Sequence, residues 1–479
     1  METMVAALQG GVASLASYLA AHVLLCLVPA FFIAGGLSAL VPQQSIVRFL
    51  GPDAPRWLAY PAAAGAGSLL AVCSCTVQPL FAGIYRKGAG LGPAVTFLFF
   101  APAGNILALS YTGVALGPEF AFARVVLSLC FGIGIGLVMA LLFRRDEEAR
   151  KADAAAFAGG ERISRHSAVF LAALVALLIA GTLKADFLKM QLLALDFAWP
   201  AAGDMQARLD RWMPVDTLKG DEGLSLQGAL LIGLLCAIGA AAWRGLGRVD
   251  QGISRATVAT LALIAATLAF AALGVQATAQ GLHVTLTGRS VAVALLLASL
   301  LPLARRLDSW DVQQWLWETW RFVRMIFPLL VIGVFLVGVA RVFIRPEWVQ
   351  AVAGANTVLG NLAGVVFGVF MYFPTLVEVP VAKMFLSLGM HPGPLIAYLM
   401  ADPELSLQSI LITSAIIGKR KAWTYVGLVA LFATASGLTY GAWVDGAAAG
   451  TIVAAVAAFV ALLAILLHLA GRLRAPTRA

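Results

Sequence analysis

Apolar runs of 18 or more residues recur along the whole chain, each long enough to cross a hydrocarbon core of roughly 30 Å as a helix. Such runs restrict the fold severely, because a lipid-embedded backbone must satisfy its own hydrogen bonds. Composition agrees: 61% of the 479 residues are hydrophobic and 12% are charged, against about 25% charged in soluble domains. The expected fold class is therefore all-α, a polytopic transmembrane helical protein with about 12–13 membrane segments. The net charge of +9 does not imply a nucleic-acid partner, since Lys and Arg lie mainly in short connections, where they set orientation. The five cysteines, Cys26, Cys73, Cys75, Cys130 and Cys236, all lie in or beside apolar segments, which argues against a disulfide framework. The first apolar run, Val12–Leu40, is too long for a cleavable signal peptide and lacks a basic flank.

One run breaks the apolar pattern: Val72-Cys73-Ser74-Cys75-Thr76-Val77-Gln78-Pro79. Two thiols separated by one residue point about 200° apart on a regular helix, so they converge only where the backbone unwinds. Pro79 supplies a reason for unwinding, because it leaves the Cys75 carbonyl without a helical donor. The host segment, Trp57–Lys87, is about 31 residues long, which suits a broken or re-entrant helix better than a straight crossing. A second interruption follows at Pro102-Ala103-Gly104-Asn105.

The same punctuation returns, without gaps, 301 residues later. Gly67 meets Gly368, Pro79 meets Pro380, Gly88 meets Gly389, Pro93 meets Pro394, Pro102 meets Pro403, Gly117 meets Gly418 and Gly136 meets Gly437. The chain is thus expected to hold two structural repeats with broken or re-entrant helices, the form in which transporters build a midplane site. Residues 1–143 form the first repeat and 144–166 a basic cytoplasmic linker. Residues 167–324 are an extra transmembrane block ending in a Trp-rich interfacial helix. Residues 325–443 form the second repeat, and 444–479 a terminal helix with a basic tail. Counting every apolar run as a crossing makes the repeats parallel but puts Lys419-Arg420-Lys421 outside, against the positive-inside rule. A re-entrant segment in one copy removes that conflict, so parallel and inverted arrangements both stay open.

The second copy carries no thiols. Its matching stretch, from Met371-Tyr372 through Thr375 to Glu378, Pro380 and Lys383, holds a carboxylate and an amine, and Asp402-Pro403-Glu404 adds two acids at the second break. Charge inside a membrane segment is expensive and usually faces a cavity or a partner. Glu378, Lys383 and Asp402 are the candidates for proton coupling. A structural Glu378–Lys383 pair, with Asp402 and Glu404 at the interface, is the bland alternative. Cys73 and Cys75, interleaved with Thr76 and Gln78, suit a soft metal or metalloid. Asn105 is a candidate for the same cavity wall, as are Tyr372 and Thr375 in the second copy. Cys26, Cys130 and Cys236 read as small buried hydrophobes. His283 and His391 are isolated, so no resident metal or other cofactor is expected.

The run Cys73-Ser74-Cys75 through Pro79-Leu80, with Gly88, Gly92 and the Pro102–Asn105 break, resembles the ArsP/YraQ type of predicted permease. The run from Met371 to Pro380 is similar to a subgroup of that family. The resemblance covers about 57–143 and 325–443. It implies a membrane transporter, not an enzyme, and for characterised members the export of trivalent organoarsenicals, with membrane cysteines implicated. Some relatives are linked to copper or zinc efflux. Thr76 and Gln78 stand at usually apolar positions and Asp402 replaces an expected Gly, so the cavity here is more polar.

The expected function is a multi-pass permease of the inner (cell) membrane. It exports a soft thiol-reactive solute, a small molecule or metalloid, in a proton-coupled step, among membrane lipid and as a monomer or homo-oligomer. A permease or channel for a small anion or sulfur compound is one alternative. A membrane thiol-redox protein is the other.

Overall fold

The computed structural model describes residues 2–41, 49–51, 54–70, 74–104, 106–148, 163–183, 186–213, 223–278, 280–343, 346–370 and 378–473. Within them the chain is overwhelmingly helical. The first helix runs as α1 (Glu2–Tyr18), a π-helical stretch at Leu19–Leu27 and α2 (Val28–Leu40). The first repeat follows as α3 (Arg56–Leu70), α4 (Ser74–Arg86), α5 (Leu91–Ala103), α6 (Ile106–Ala115) and α7 (Pro118–Leu142). The intervening block contains α8 (Arg165–Thr182), α9 (Ala201–Trp212), α10 (Leu226–Gly245), α11 (Arg255–Ala271) and α12 (Gly288–Ala304). Then come α13 (Ser309–Arg341), α14 (Pro346–Ala353) and the second repeat: α15 (Val358–Phe370), α16 (Glu378–Ser387), α17 (Pro392–Ala401), α18 (Leu407–Ile417) and α19 (Lys419–Val444). Helix α20 (Ala449–Leu473) closes the described chain. Six helices are long and apolar enough to cross a membrane, and shorter apolar ones such as α5, α17 and α18 supplement them.

The helices fall into two compact units, neither continuous in sequence: residues 1–46, 70–87 and 160–343, and residues 47–69, 88–159 and 344–479. In the first unit α13 lies antiparallel to the α1–α2 helix. A Cβ on Gly10 would sit 3.0 Å from the Gly338 carbonyl oxygen, and one on Gly35 would sit 2.7 Å from the Thr319 nitrogen. The Trp-rich stretch expected to lie at the interface is instead the first half of α13. Trp315 is buried, donating to the Phe32 carbonyl at 2.9 Å and meeting Phe170 edge-on with centroids 4.7 Å apart. Side-chain hydroxyls of Ser164, Ser225, Ser254 and Thr287 cap α8, α10, α11 and α12 by accepting an orphan backbone N–H. The block also holds what the sequence reading missed, a three-stranded antiparallel sheet ordered β1 (Gln191–Ala198), β3 (Gly281–Thr287), β2 (Gly274–Thr278). The apolar stretch that begins with α11 therefore ends as helix at Ala271. Its β-branched continuation pairs as strand, with Val275 opposite Val284.

The second unit preserves the repeat in detail. Gly88 and Gly389 share φ of +94° and +88°, and Gly117 and Gly418 share φ of +109° and +87°. These left-handed conformations suit glycine and explain why the matched positions carry it. Matched glycines also make matched crossings. A Cβ on Gly92 would lie 2.9 Å from the Gly136 carbonyl oxygen, and one on Gly393 would lie 2.8 Å from that of Gly437. Likewise Gly67 backs onto the Ala101 nitrogen at 3.0 Å and Gly368 onto the Asp402 nitrogen at 2.9 Å, measured from the added Cβ.

The repeats are inverted. Equivalent helices α7 and α19 run antiparallel: Phe120 meets Tyr440 at 5.1 Å, Phe131 meets Phe432 at 5.2 Å, and the Arg420 guanidinium sits 5.8 Å over Phe143. Phe131 and Phe432 are equivalent residues in contact, which marks the pseudo-two-fold axis. Lys421 Nζ lies 3.6 Å from Asp146, so Lys419-Arg420-Lys421 shares a membrane face with Arg144-Arg145 and obeys the positive-inside rule. The second copy has the re-entrant hairpin that resolves the sequence conflict. Helix α15 enters from the face opposite that basic end and reaches Asp402 at Gly368, and α16 returns so that His391 donates its backbone N–H to Ala353 at 3.0 Å.

Gly437→Val places methyl groups against the Gly393 backbone and should lower the melting temperature of the solubilised protein by several degrees or prevent its accumulation. Gly427→Ala, whose Cβ meets nothing within 4 Å, should leave stability unchanged or raise it; differential scanning fluorimetry reads both.

Candidate functional site

Among the described residues, the most concentrated polar chemistry in the membrane interior belongs to the second unit, where the breaks of both repeats meet. Arg124, in α7, has no exposed surface. Its Nε donates to the Ala103 carbonyl at 3.0 Å and its Nη1 to Thr112 Oγ1 at 3.0 Å. Its Nη2 donates to Glu378 Oε1 at 2.5 Å. Ala103 closes α5 at the first-copy break, and Glu378 opens α16 just after the second-copy tip. A carboxylate in the first turn of α16 also complements the helix dipole. One guanidinium thus ties the two inverted copies together through their interruptions.

The inverted equivalent of this arrangement is also polar. Tyr425 occupies the position matched to Arg124, and Glu404 the position matched to Ala103. Tyr425 Oη donates to Glu404 Oε2 at 2.7 Å. Glu404 is 3% exposed, and the Glu378 carboxylate is near enough to act on it electrostatically. Oε2 of Glu378, Oε1 of Glu404 and both amide atoms of Gln408 are buried without a hydrogen-bond partner among the described residues. Arg124 is the counter-charge of Glu378, whereas the donor to Glu404 is the neutral Tyr425, so a second buried carboxylate there calls for a proton or a cationic guest.

The expected site residues are placed unevenly. Glu378 and Asp402 are fully buried in this unit; Asp402 lies at the α17 break rather than at an interface. Glu404 is buried too, which removes the interfacial reading of both acids. Lys383 is exposed, and the cation that meets Glu378 is Arg124, so the expected Glu378–Lys383 pair is replaced. The reason is geometric: five residues along α16 turn Lys383 away from the face that carries Glu378. Gln78 is buried in the first unit. Cys73, Asn105, Tyr372 and Thr375 lie outside the described residues, as do the side chains of Cys75 and Thr76. The backbone at Cys75 is already helical, and α4 runs on through Pro79. Residues 71–73, where the chain enters this run, lie outside the described residues; from Ser74 the helix carries Pro79 as its sixth residue, which leaves the Cys75 carbonyl without a helical donor. Cys130 and Cys236, read as buried hydrophobes, are exposed on apolar helices. No group of three His, Cys, Asp or Glu suited to a metal occurs among the described residues. The sequence reading missed Arg124, although two signals mark it: it is a basic residue inside the apolar run Glu119–Phe143, and it aligns with Tyr425.

Removing one member of the Arg124–Glu378 pair strands the other. Arg124→Met and Glu378→Leu should each destabilise the fold by about 3 kcal/mol, while the double variant recovers most of that loss; a double-mutant cycle by chemical denaturation in mild detergent measures it.

The UPF0718 protein MJ0584 of Methanocaldococcus jannaschii is 30% identical over 426 residues, covering 88% of this chain and 93% of its own. The UPF0718 protein YraQ of Escherichia coli is 27% identical over 118 residues, covering 25% of this chain and 34% of its own. The UPF0718 protein YcgR of Bacillus subtilis is 29% identical over 117 residues, 24% of this chain and 39% of its own. No solved structure matches the chain. The family model ArsP_1, described as a predicted permease, matches residues 9–442, and the chain belongs to that family.

Proposed function

We propose that this protein is a proton-coupled permease of the inner (cell) membrane that exports a soft, thiol-reactive solute, with trivalent organoarsenicals the first candidates and arsenic resistance the expected phenotype. The observation that carries the coupling is the fully buried Arg124–Glu378 contact across the inverted repeats. Alternating access in such folds moves one repeat against the other, so a contact joining the breaks must loosen in each cycle. Protonating Glu378 removes the charge that holds Arg124 and leaves the carboxyl able to part from it. Glu404 and Tyr425, at the pseudo-symmetric position, then offer the proton a second place. Cys73 and Cys75 capture the solute as thiolates, with Thr76 and Gln78 of the same run as polar neighbours; Asn105, Tyr372 and Thr375 are separate polar candidates at the other interruptions. Asp402 adds a third buried acid beside the route, and Lys383 is assigned to orientation at the surface.

Arg124 also favours a second reading, a small-anion permease, since a buried guanidinium is a host for an anion once Glu378 is neutral.

Everted vesicles loaded with a pH indicator distinguish the two. On the first reading, methyl- or phenylarsenite accumulation rises when a proton gradient is imposed. Glu378→Gln should make that accumulation insensitive to the gradient, and Cys73→Ser with Cys75→Ser should reduce it at least about tenfold. Undiminished transport of every thiophilic solute by the serine variants removes the thiol role. Proton-linked uptake of an oxyanion that survives those variants and is lost in Arg124→Gln selects the anion reading.

A further inference from the structure

The first unit carries a feature of its own. At the end of α10 and on the facing turn of α13, a pocket of about 180 Å³ is lined by Trp243, Arg244, Gly247, Arg248, Trp320 and Arg324. Three guanidinium groups line one small space. No carboxylate pairs with them among the described residues, and the neighbouring Glu318 is engaged by Arg321 at 2.7 Å. The pocket has built walls. Trp243 and Trp320 meet edge-on with centroids 5.9 Å apart, and the Arg324 guanidinium lies 6.0 Å over the Trp243 ring.

An apolar groove adjoins the pocket at Trp320, which lines both. That groove, about 110 Å³, shares Trp320 as a wall and is bounded by Leu235, Ile238, Gly239, Phe31 and Phe327. From Leu235 to Arg244 the path follows α10 for about 14 Å at the helical rise, from the membrane interior to its basic end. Charge at one end and an apolar channel toward the bilayer at the other match the polarity of a lipid. The basic end belongs to the cytoplasmic face by the positive-inside rule, and anionic lipid is found in that leaflet.

We propose that this pocket and groove form a binding site for one anionic phospholipid of the cytoplasmic leaflet, its phosphate held by Arg244, Arg248 and Arg324 and its acyl chain laid along α10. Trp243, 67% exposed, sits at the headgroup level beside the guanidiniums. A free phosphate would use the arginines without the groove, and a zwitterionic lipid the groove without the arginines. The site requires both.

Tail-brominated lipids quench nearby indoles and read occupancy directly. The full-length, delipidated protein is titrated with dibrominated phosphatidylglycerol and with the matching phosphatidylcholine. Phosphatidylglycerol should half-saturate the quenching of Trp243 and Trp320, identified by its loss in Trp243→Phe with Trp320→Phe, at a concentration at least about tenfold lower. Arg244→Gln with Arg248→Gln and Arg324→Gln should abolish the preference, and Arg248→Gln alone should weaken it by about fivefold. Arg255→Gln, an exposed arginine outside the pocket, should change nothing. Gly239→Phe fills the groove at a position whose Cβ meets no atom within 4 Å, so it should fold normally yet lose the quenching by both lipids. Equal binding of the two lipids, a preference that survives the triple variant, or quenching unaffected by Gly239→Phe overturns the proposal. So does full displacement of the lipid by millimolar inorganic phosphate, which would mark an anion site without a tail.

Discussion

An interrupted helix inside a bilayer leaves polar backbone groups that lipid cannot satisfy, and this constraint organises the second unit. The first-copy break ends at Ala103, and Arg124 supplies a donor to its carbonyl. Helix α5 begins at Leu91, whose N–H is taken at 2.9 Å by the buried Glu147 carboxylate. Helix α18 begins behind Ser406, whose hydroxyl accepts from Ser409. At the first break the supporting side chain, Arg124, also reaches the opposite repeat. Structure and the proposed coupling therefore share one residue: whatever loosens Arg124 from Glu378 acts on the support of a broken helix.

Inversion explains why the two copies could diverge in chemistry without losing the fold. Gly92 with Gly136, and Gly393 with Gly437, keep the close crossings that set the backbone in both copies. The residues projecting from that backbone differ. The second copy holds the carboxyl groups of Glu378, Asp402 and Glu404, whereas the first aligns Val77, Ala101 and Ala103 with them and supplies Arg124 where the second has Tyr425. A symmetric pair of breaks would place like charges opposite each other. Division of acid and base between the copies turns the pseudo-symmetric contact into an attraction that a proton can weaken.

Much of the backbone was legible in the residues because glycine and proline have local causes. The left-handed turns at Gly88, Gly117, Gly389 and Gly418 follow from their own steric freedom, and their spacing exposed the repeat. The same local logic misled where context prevailed. Trp315 serves as a core residue hydrogen-bonded to Phe32 rather than as an interfacial anchor. Strands at 191–198, 274–278 and 281–287 escaped notice because periodicity in so apolar a chain separates helix from strand poorly.

From its sequence alone the chain was determined to be a polytopic helical membrane protein with two copies of one interrupted motif, because hydropathy and backbone punctuation are written residue by residue. The sequence also identified Glu378 as a costly charge but paired it with Lys383, its neighbour along the chain. Only the tertiary structure decided that the copies are inverted, and that Arg124, 254 residues away, is the partner. The reason is physical: burying a carboxylate requires a counter-charge within a few ångströms in space, and helix packing, rather than distance along the chain, determines which residue comes that close.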